Sequence, residues 1–170
     1  QVDKANVLET SRLWRETVQS MEKDYPEIKV TYEFVDAVAM RLIQWPSSYD
    51  VLITSNLFGD ILTDEASVIS GSMGLMPSAS IGSENALYEP IHGSYPEATG
   101  KKIANPIASI LSLSMMLDHS FNLKGESKII NRAVEDSLVN KFTTPDLNKD
   151  NKAYTTDQVG DYIVNFIINN

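Results

Sequence analysis

The chain has 170 residues with 14 Lys plus Arg against 23 Asp plus Glu, a formal net charge of −9, 42% hydrophobic and 22% charged residues, and no cysteine. So acidic a surface, with no Lys/Arg cluster, repels phosphate backbones and excludes nucleic acid as a partner, while the apolar content is that of a chain that folds. Disulfides, zinc–thiolate sites and cysteine nucleophiles are impossible. No apolar run nears the roughly 20 residues that cross a bilayer, and no basic-then-apolar leader opens the chain, so the reading is cytoplasmic with no membrane partner.

The chain opens at Gln1 and not Met, with Lys4 to Val7 already reading as the start of a structured element, so residues upstream are expected to be missing. From Val7, apolar residues at Val7, Leu8, Trp14, Val18 and Met21 recur at helical spacing until Tyr25-Pro26 stops them. Ile28 to Val35 alternates Ile28, Val30, Tyr32 and Phe34 with polar residues, the pattern of a half-buried strand, and Asp36 sits just past it. A helix is expected over Val38 to Ile43, a break at Trp45-Pro46, a short apolar strand from Asp50 to Thr54, and a helix from about Leu57 to Ser70.

Past Ser70-Gly71 this regular alternation gives way to glycine-rich loop and short strand up to Gly100, which places a domain boundary there. Asn105-Pro106 is a strong helix start, with Asn as cap and Pro at the first helical position, and Ile107 to Phe121 supplies the apolar stripe. A further helix is expected from about Glu126 to Phe142. Thr155-Thr156-Asp157-Gln158 then offers a capping box for a last helix ending near Ile168. Strand–helix alternation argues for an α/β fold with functional residues at the carboxyl ends of strands.

Asp60 and Asp64 stand one turn apart on a helix whose other residues, among them Leu57, Phe58, Ile61, Leu62 and Ala66, are apolar nearly all round. Acidic residues at that spacing ordinarily line a solvated face; here the apolar neighbours ask for another reason. With Asp36 at a strand end, three carboxylates can converge on one crevice, and all-oxygen ligands favour Mg²⁺ or Mn²⁺ over zinc. Lys4 near such a site is a candidate proton carrier, although alone it reads as a surface residue. His92 and Ser94, in Glu89-Pro90-Ile91-His92-Gly93-Ser94, suit a loop whose glycine lets backbone amides approach a ligand; a bland turn fits the composition equally well. His119 reads as a helix-end histidine and Met115-Met116-Leu117 as core. Neither Gly-x-Gly-x-x-Gly nor a Walker loop occurs, so a dinucleotide would have to be held in some other way.

The run Asn56-Leu57-Phe58-Gly59-Asp60-Ile61-Leu62-Thr63-Asp64-Glu65-Ala66, followed by Gly71-Ser72-Met73-Gly74-Leu75-Met76-Pro77, resembles the decarboxylating β-hydroxyacid dehydrogenases, the isocitrate/isopropylmalate dehydrogenase family. Lys4-Ala5-Asn6, Val35-Asp36-Ala37, Glu89 to Ser94 and Ala104-Asn105-Pro106 join it in the family's order. The resemblance spans nearly the whole chain and is closest to the NAD-dependent branch acting on 3-isopropylmalate in leucine biosynthesis. It implies an isopropylmalate dehydrogenase-like fold present only as its C-terminal half, with 1–70 part of a dimer-forming, metal-binding domain and 71–170 part of a cofactor-side domain. It further implies Mg²⁺ or Mn²⁺ on Asp36, Asp60 and Asp64, a proton relay at Lys4, NAD on His92, Gly93, Ser94, Glu97 and Asn105, and a homodimer in which Lys4 and Asp36 reach into the partner's site. The family's Gly-Ser-Ala-Pro-Asp here reads Gly93-Ser94-Tyr95-Pro96-Glu97. Because the substrate-clamping arginines, the catalytic tyrosine and the specificity loop belong to the other half, the 170 residues alone are expected to be inactive. Sister activities on tartrate, malate, homoisocitrate or isocitrate, and a non-catalytic dimerisation module, stay open.

Overall fold

The computed structural model describes residues 1–148 and 152–170, which divide into two compact units, Gln1–Ile69 and Ser70–Asn170. Among the described residues no helix is long and apolar enough to cross a membrane.

In the first unit, β1 (Val2–Asp3) runs parallel to β2 (Glu33–Phe34), with Val2 opposite Glu33 and Asp3 opposite Phe34. Between them lies α1 (Glu9–Met21), and α2 (Val35–Gln44) and α3 (Asn56–Ser70) follow. On α2 the buried Val38 and Leu42, with half-buried Val35 and Ala39, make one helical stripe. That stripe meets Val2 and, from α3, Leu62 and Ala66 to form the core.

The strand expected over Ile28 to Val35 is realised only at Glu33–Phe34, and the one expected over Asp50 to Thr54 is not formed as a strand. A ladder-like bond does run from Val2 N to Ile53 O at 2.9 Å. Both segments border an open groove of about 370 Å³ lined by Val18, Met21, Ile28, Val30, Val51 and Ile53. Alternation marks which side chains want cover; pairing needs a neighbouring strand as well. The helix placed at Val38 starts three residues earlier, so Asp36 lies in the first turn of α2 and not on a strand end.

In the second unit, β3 (Pro77–Ile81) and β4 (Ala86–Pro90) form an antiparallel hairpin, followed by α4 (Ile107–His119), α5 (Lys124–Val139) and α6 (Thr156–Ile168). Ile107, Ala133, Val134, Val159 and Ile163 make the core, and α4 packs on both the hairpin and α5. The Thr155–Gln158 capping box is formed at both of its bonds. Asn105 Oδ1 accepts from Ile107 N at 3.0 Å, so asparagine does cap α4, while Pro106 precedes the first helical residue.

Candidate active site

Parallel pairing of β1 and β2 sets Lys4 and Asp36 side by side. Lys4 follows β1 directly, and Asp36 comes two residues after Phe34, the register partner of Asp3. Lys4 Nζ donates to Asp36 Oδ1 at 2.6 Å and lies 5.8 Å from the centre of the Phe34 ring. The Asp36 side chain is 67% exposed and that of Lys4 only 24%. The Lys4 hydrogen bond, helped by backbone amides at the start of α2, holds the Asp36 carboxyl below the ordinary aspartate range.

Asp60 and Asp64 project one turn apart from α3, both exposed, beside an uncovered apolar strip of Leu57, Ile61 and Val68. Among the described residues neither carboxylate has a hydrogen bond or an ion pair. Two unpaired carboxylates one turn apart are a donor set that fits a hard divalent cation. Within the single chain, however, no three acidic or histidine side chains among the described residues are grouped to hold a metal ion. Asp36 and the Asp60/Asp64 pair are therefore not brought together here. Within one chain Asp36 rides on the first turn of α2 and is turned towards Lys4, while the expectation that Lys4 and Asp36 reach into the partner's site concerns a second copy.

In the second unit, the loop after β4 carries the proposed nucleotide residues. His92 Nδ1 lies 3.0 Å from the Gly93 carbonyl, a bond that requires the Nδ1–H tautomer. Gly93, Ser94 and Glu97 are exposed, Glu97 within a short 3₁₀ turn over Pro96–Ala98. Tyr95, where the family pattern has alanine, is 62% exposed, so its bulk points away from the loop packing. Asn105 differs from the rest. Its Oδ1 caps α4 and its Nδ2 donates to Asp146 Oδ2 at 3.0 Å, which fixes the orientation of the amide and uses one of its two N–H donors. Asp146 also accepts from Ser72 and Thr144, each at 2.5 Å. Burial would raise the Asp146 carboxyl, but these three donors hold it below its ordinary value.

The sequence profile of the isocitrate/isopropylmalate dehydrogenase family matches residues 1–163. The chain belongs to this family. It is 57% identical to a 3-isopropylmalate dehydrogenase of Oceanobacillus iheyensis over 148 residues, 86% of this chain and 40% of that protein. With a 3-isopropylmalate dehydrogenase of Bacteroides fragilis it shares 52% over 167 residues, 98% of this chain and 47% of that protein. Among solved structures, an isocitrate dehydrogenase from Methylococcus capsulatus superposes with a TM-score of 0.93 at 41% identity, covering 98% of this chain and 49% of that one. The fold is thus isopropylmalate dehydrogenase-like, and the chain spans about half the length of the family members it matches.

Sequence reasoning missed three polar residues that build the surroundings of these family motifs. Asp3 is 1% exposed and takes both Nε and Nη2 of Arg15, at 2.7 and 2.9 Å. Asp146 joins the loop at Ser72 to the start of α4. A signal for the first pair was present: an acidic residue inside the apolar start Val2-Asp3, and an arginine beside Trp14 on the otherwise inward side of α1. For Asp146, in a polar turn-rich stretch, there was none.

Proposed function

We propose that this chain is the C-terminal part of a 3-isopropylmalate dehydrogenase, a homodimer with shared active sites that oxidatively decarboxylates 3-isopropylmalate to 4-methyl-2-oxopentanoate with NAD, in the cytoplasm, for leucine biosynthesis. The single observation that carries this reading is the unpaired Asp60/Asp64 pair on α3 in a chain of this family. Relatives bearing that enzyme name, at 57% and 52% identity, favour this substrate over the sister acids.

Asp60 and Asp64 of one protomer, with Asp36 from its partner, are the residues that would hold Mg²⁺ or Mn²⁺. When bound, the cation supplies polarisation of the substrate's hydroxyl oxygen, where negative charge develops as the substrate is oxidised and loses CO₂. Lys4, tethered to Asp36 at 2.6 Å, reaches the same site and moves the proton of that hydroxyl. His92, Gly93 and Ser94 receive the adenosine end of NAD, and Glu97 accepts hydrogen bonds from ribose hydroxyls. Asn105, its amide oriented by the bonds to Ile107 N and Asp146, offers its second N–H to the adenine. The bare apolar strip on α3, with exposed Met40 and Ile43 on α2, supports burial against a second copy.

The test is NADH formation by the whole protein with 3-isopropylmalate, isocitrate, homoisocitrate, tartrate and malate. The largest kcat/KM is expected for 3-isopropylmalate. A different winner identifies a sister enzyme, and Mn²⁺ binding without turnover on any of them identifies a non-catalytic module. The 170 residues alone should give no NADH, since the other half supplies the substrate-clamping arginines, and each charge-assisted hydrogen bond they make is worth about 1.5–3 kcal/mol.

A further inference from the structure

Lysine has a long, flexible side chain, so Lys4 can carry protons reproducibly only if its backbone and the first part of its side chain are held. Three observations show what holds them. Asp3, buried next to Lys4 in sequence, accepts Ala5 N–H on Oδ1 at 2.8 Å, closing a turn around Lys4. The Lys4 carbonyl accepts from Val7 N and Leu8 N, both at 2.9 Å, which continues that turn into α1. From α1 two arginines one turn apart then reach back across it. Arg15 forks onto Asp3, on one side of Lys4, and Arg12 Nε donates to the Ala5 carbonyl, on the other, at 2.9 Å.

The guanidinium of Arg15 is itself confined. Its Cζ lies 5.0 Å from the centre of the Phe34 ring and 5.6 Å from that of Tyr32. Phe34 is also the ring over which Lys4 Nζ sits. One aromatic ring thus bounds both the clamp and the amine that the clamp positions. Burial would raise the Asp3 carboxyl, but the Arg15 fork and the Ala5 amide hold it below the ordinary range, so the pair is charged on both sides at neutral pH.

We infer that Arg15, through Asp3, and Arg12, through the Ala5 carbonyl, are positioning residues that fix the Lys4 turn for proton transfer. This rests on the reading of Lys4 as the proton carrier, and the test separates the two. In the whole protein, Arg15→Lys keeps the charge but loses the two-pronged geometry. It is expected to lower kcat at least about tenfold with the KM for NAD unchanged, because small displacements of a reacting group cost rate rather than cofactor binding. Arg12→Gln, at an exposed position that tolerates change, should give a smaller fall of the same kind. A crystal structure of Arg15→Lys should show Lys4 Nζ displaced from Asp36.

A lowered Tm with kcat per folded molecule unchanged, or Lys4 still in place in the variant, would overturn the inference and leave Arg15 with a purely structural role. Should Arg15→Lys fail to fold, Arg12→Gln decides alone, since an unchanged kcat there removes the clamp. Lys4→Met is the control for the underlying reading. If it retains full turnover, Lys4 is not the proton carrier, while the crystallographic position of Lys4 in Arg15→Lys still reports on the clamp.

Discussion

Gly74 lies so close to Asn105 that a Cβ built on the glycine would stand 2.6 Å from Asn105 Cβ and 3.1 Å from its Nδ2. Asn105 cannot retreat without giving up either the cap on Ile107 N or the bond to Asp146. Gly74→Ala therefore forces one of these apart. Overpacking of this kind costs about 1–3 kcal/mol, and the KM for NAD in the whole protein should rise several-fold because the start of α4 moves. A variant with unchanged Tm and unchanged KM would show that the glycine's neighbours give way freely and that Asn105 plays no part in the cofactor site.

Asp3 and Arg15 make stability depend on pH in a definite direction. The folded Asp3 carboxyl is held below its unfolded value of about 3.9, so the stabilisation is fully present above that value and is lost as pH falls through the folded one. Removing one member of a largely buried pair costs about 3 kcal/mol or more. Asp3→Asn should accordingly lower Tm at pH 7, and the gap from wild type should narrow steadily below about pH 4. Thermal unfolding measured from pH 7 to pH 3 checks this. A gap independent of pH would mean that charge at Asp3 contributes nothing.

If Asp60 and Asp64 hold the metal as proposed, binding and stability separate there. Both are exposed, and neither carboxylate has a partner among the described residues, so Asp60→Asn and Asp64→Asn should change folding stability by no more than about 0.5 kcal/mol. Mn²⁺ affinity, read by calorimetry on the whole protein, should nevertheless fall at least about tenfold, since a hard cation loses an anionic oxygen ligand. An unchanged metal requirement in both variants would remove the α3 carboxylates from the site.

How much could be read from the chain alone differs between elements for physical reasons. The last helix was legible because its capping box is local: Thr155 and Gln158 satisfy each other's backbone within four residues. The cap of α4 by Asn105 was legible on the same grounds. Strands were overread at Ile28–Val35, from alternation, and at Asp50–Thr54, from a short apolar run, where a partner strand along the whole length was not present. At the site, the family motifs pointed to Lys4 and Asp36 as members of one shared site, but not to the bond between them. Their pairing depends on the β1–β2 register across 32 residues, which no spacing rule encodes. Asp146 meets Ser72 and Asn105 from 74 and 41 residues away, and only the folded chain brings them together.

On the proposed reading, cofactor choice is the property on which Glu97 bears. It stands exposed in the turn after the His92–Ser94 loop, where a carboxylate can accept hydrogen bonds from both ribose hydroxyls of NAD. A 2′-phosphate in the same place would set like charges against each other. At a surface-like dielectric, unit like charges about 4 Å apart repel by on the order of 4 kcal/mol before screening, and a quarter of that still discriminates several-fold. The whole protein should therefore prefer NAD to NADP, and Glu97→Lys should shift the ratio of the two specificity constants towards NADP by at least about tenfold, because attraction replaces repulsion. Rising ionic strength should shrink the wild-type preference, as screening weakens an exposed charge. If Glu97→Lys leaves the NAD/NADP ratio where it was, the side chain faces solvent in the complex and cofactor choice is set elsewhere.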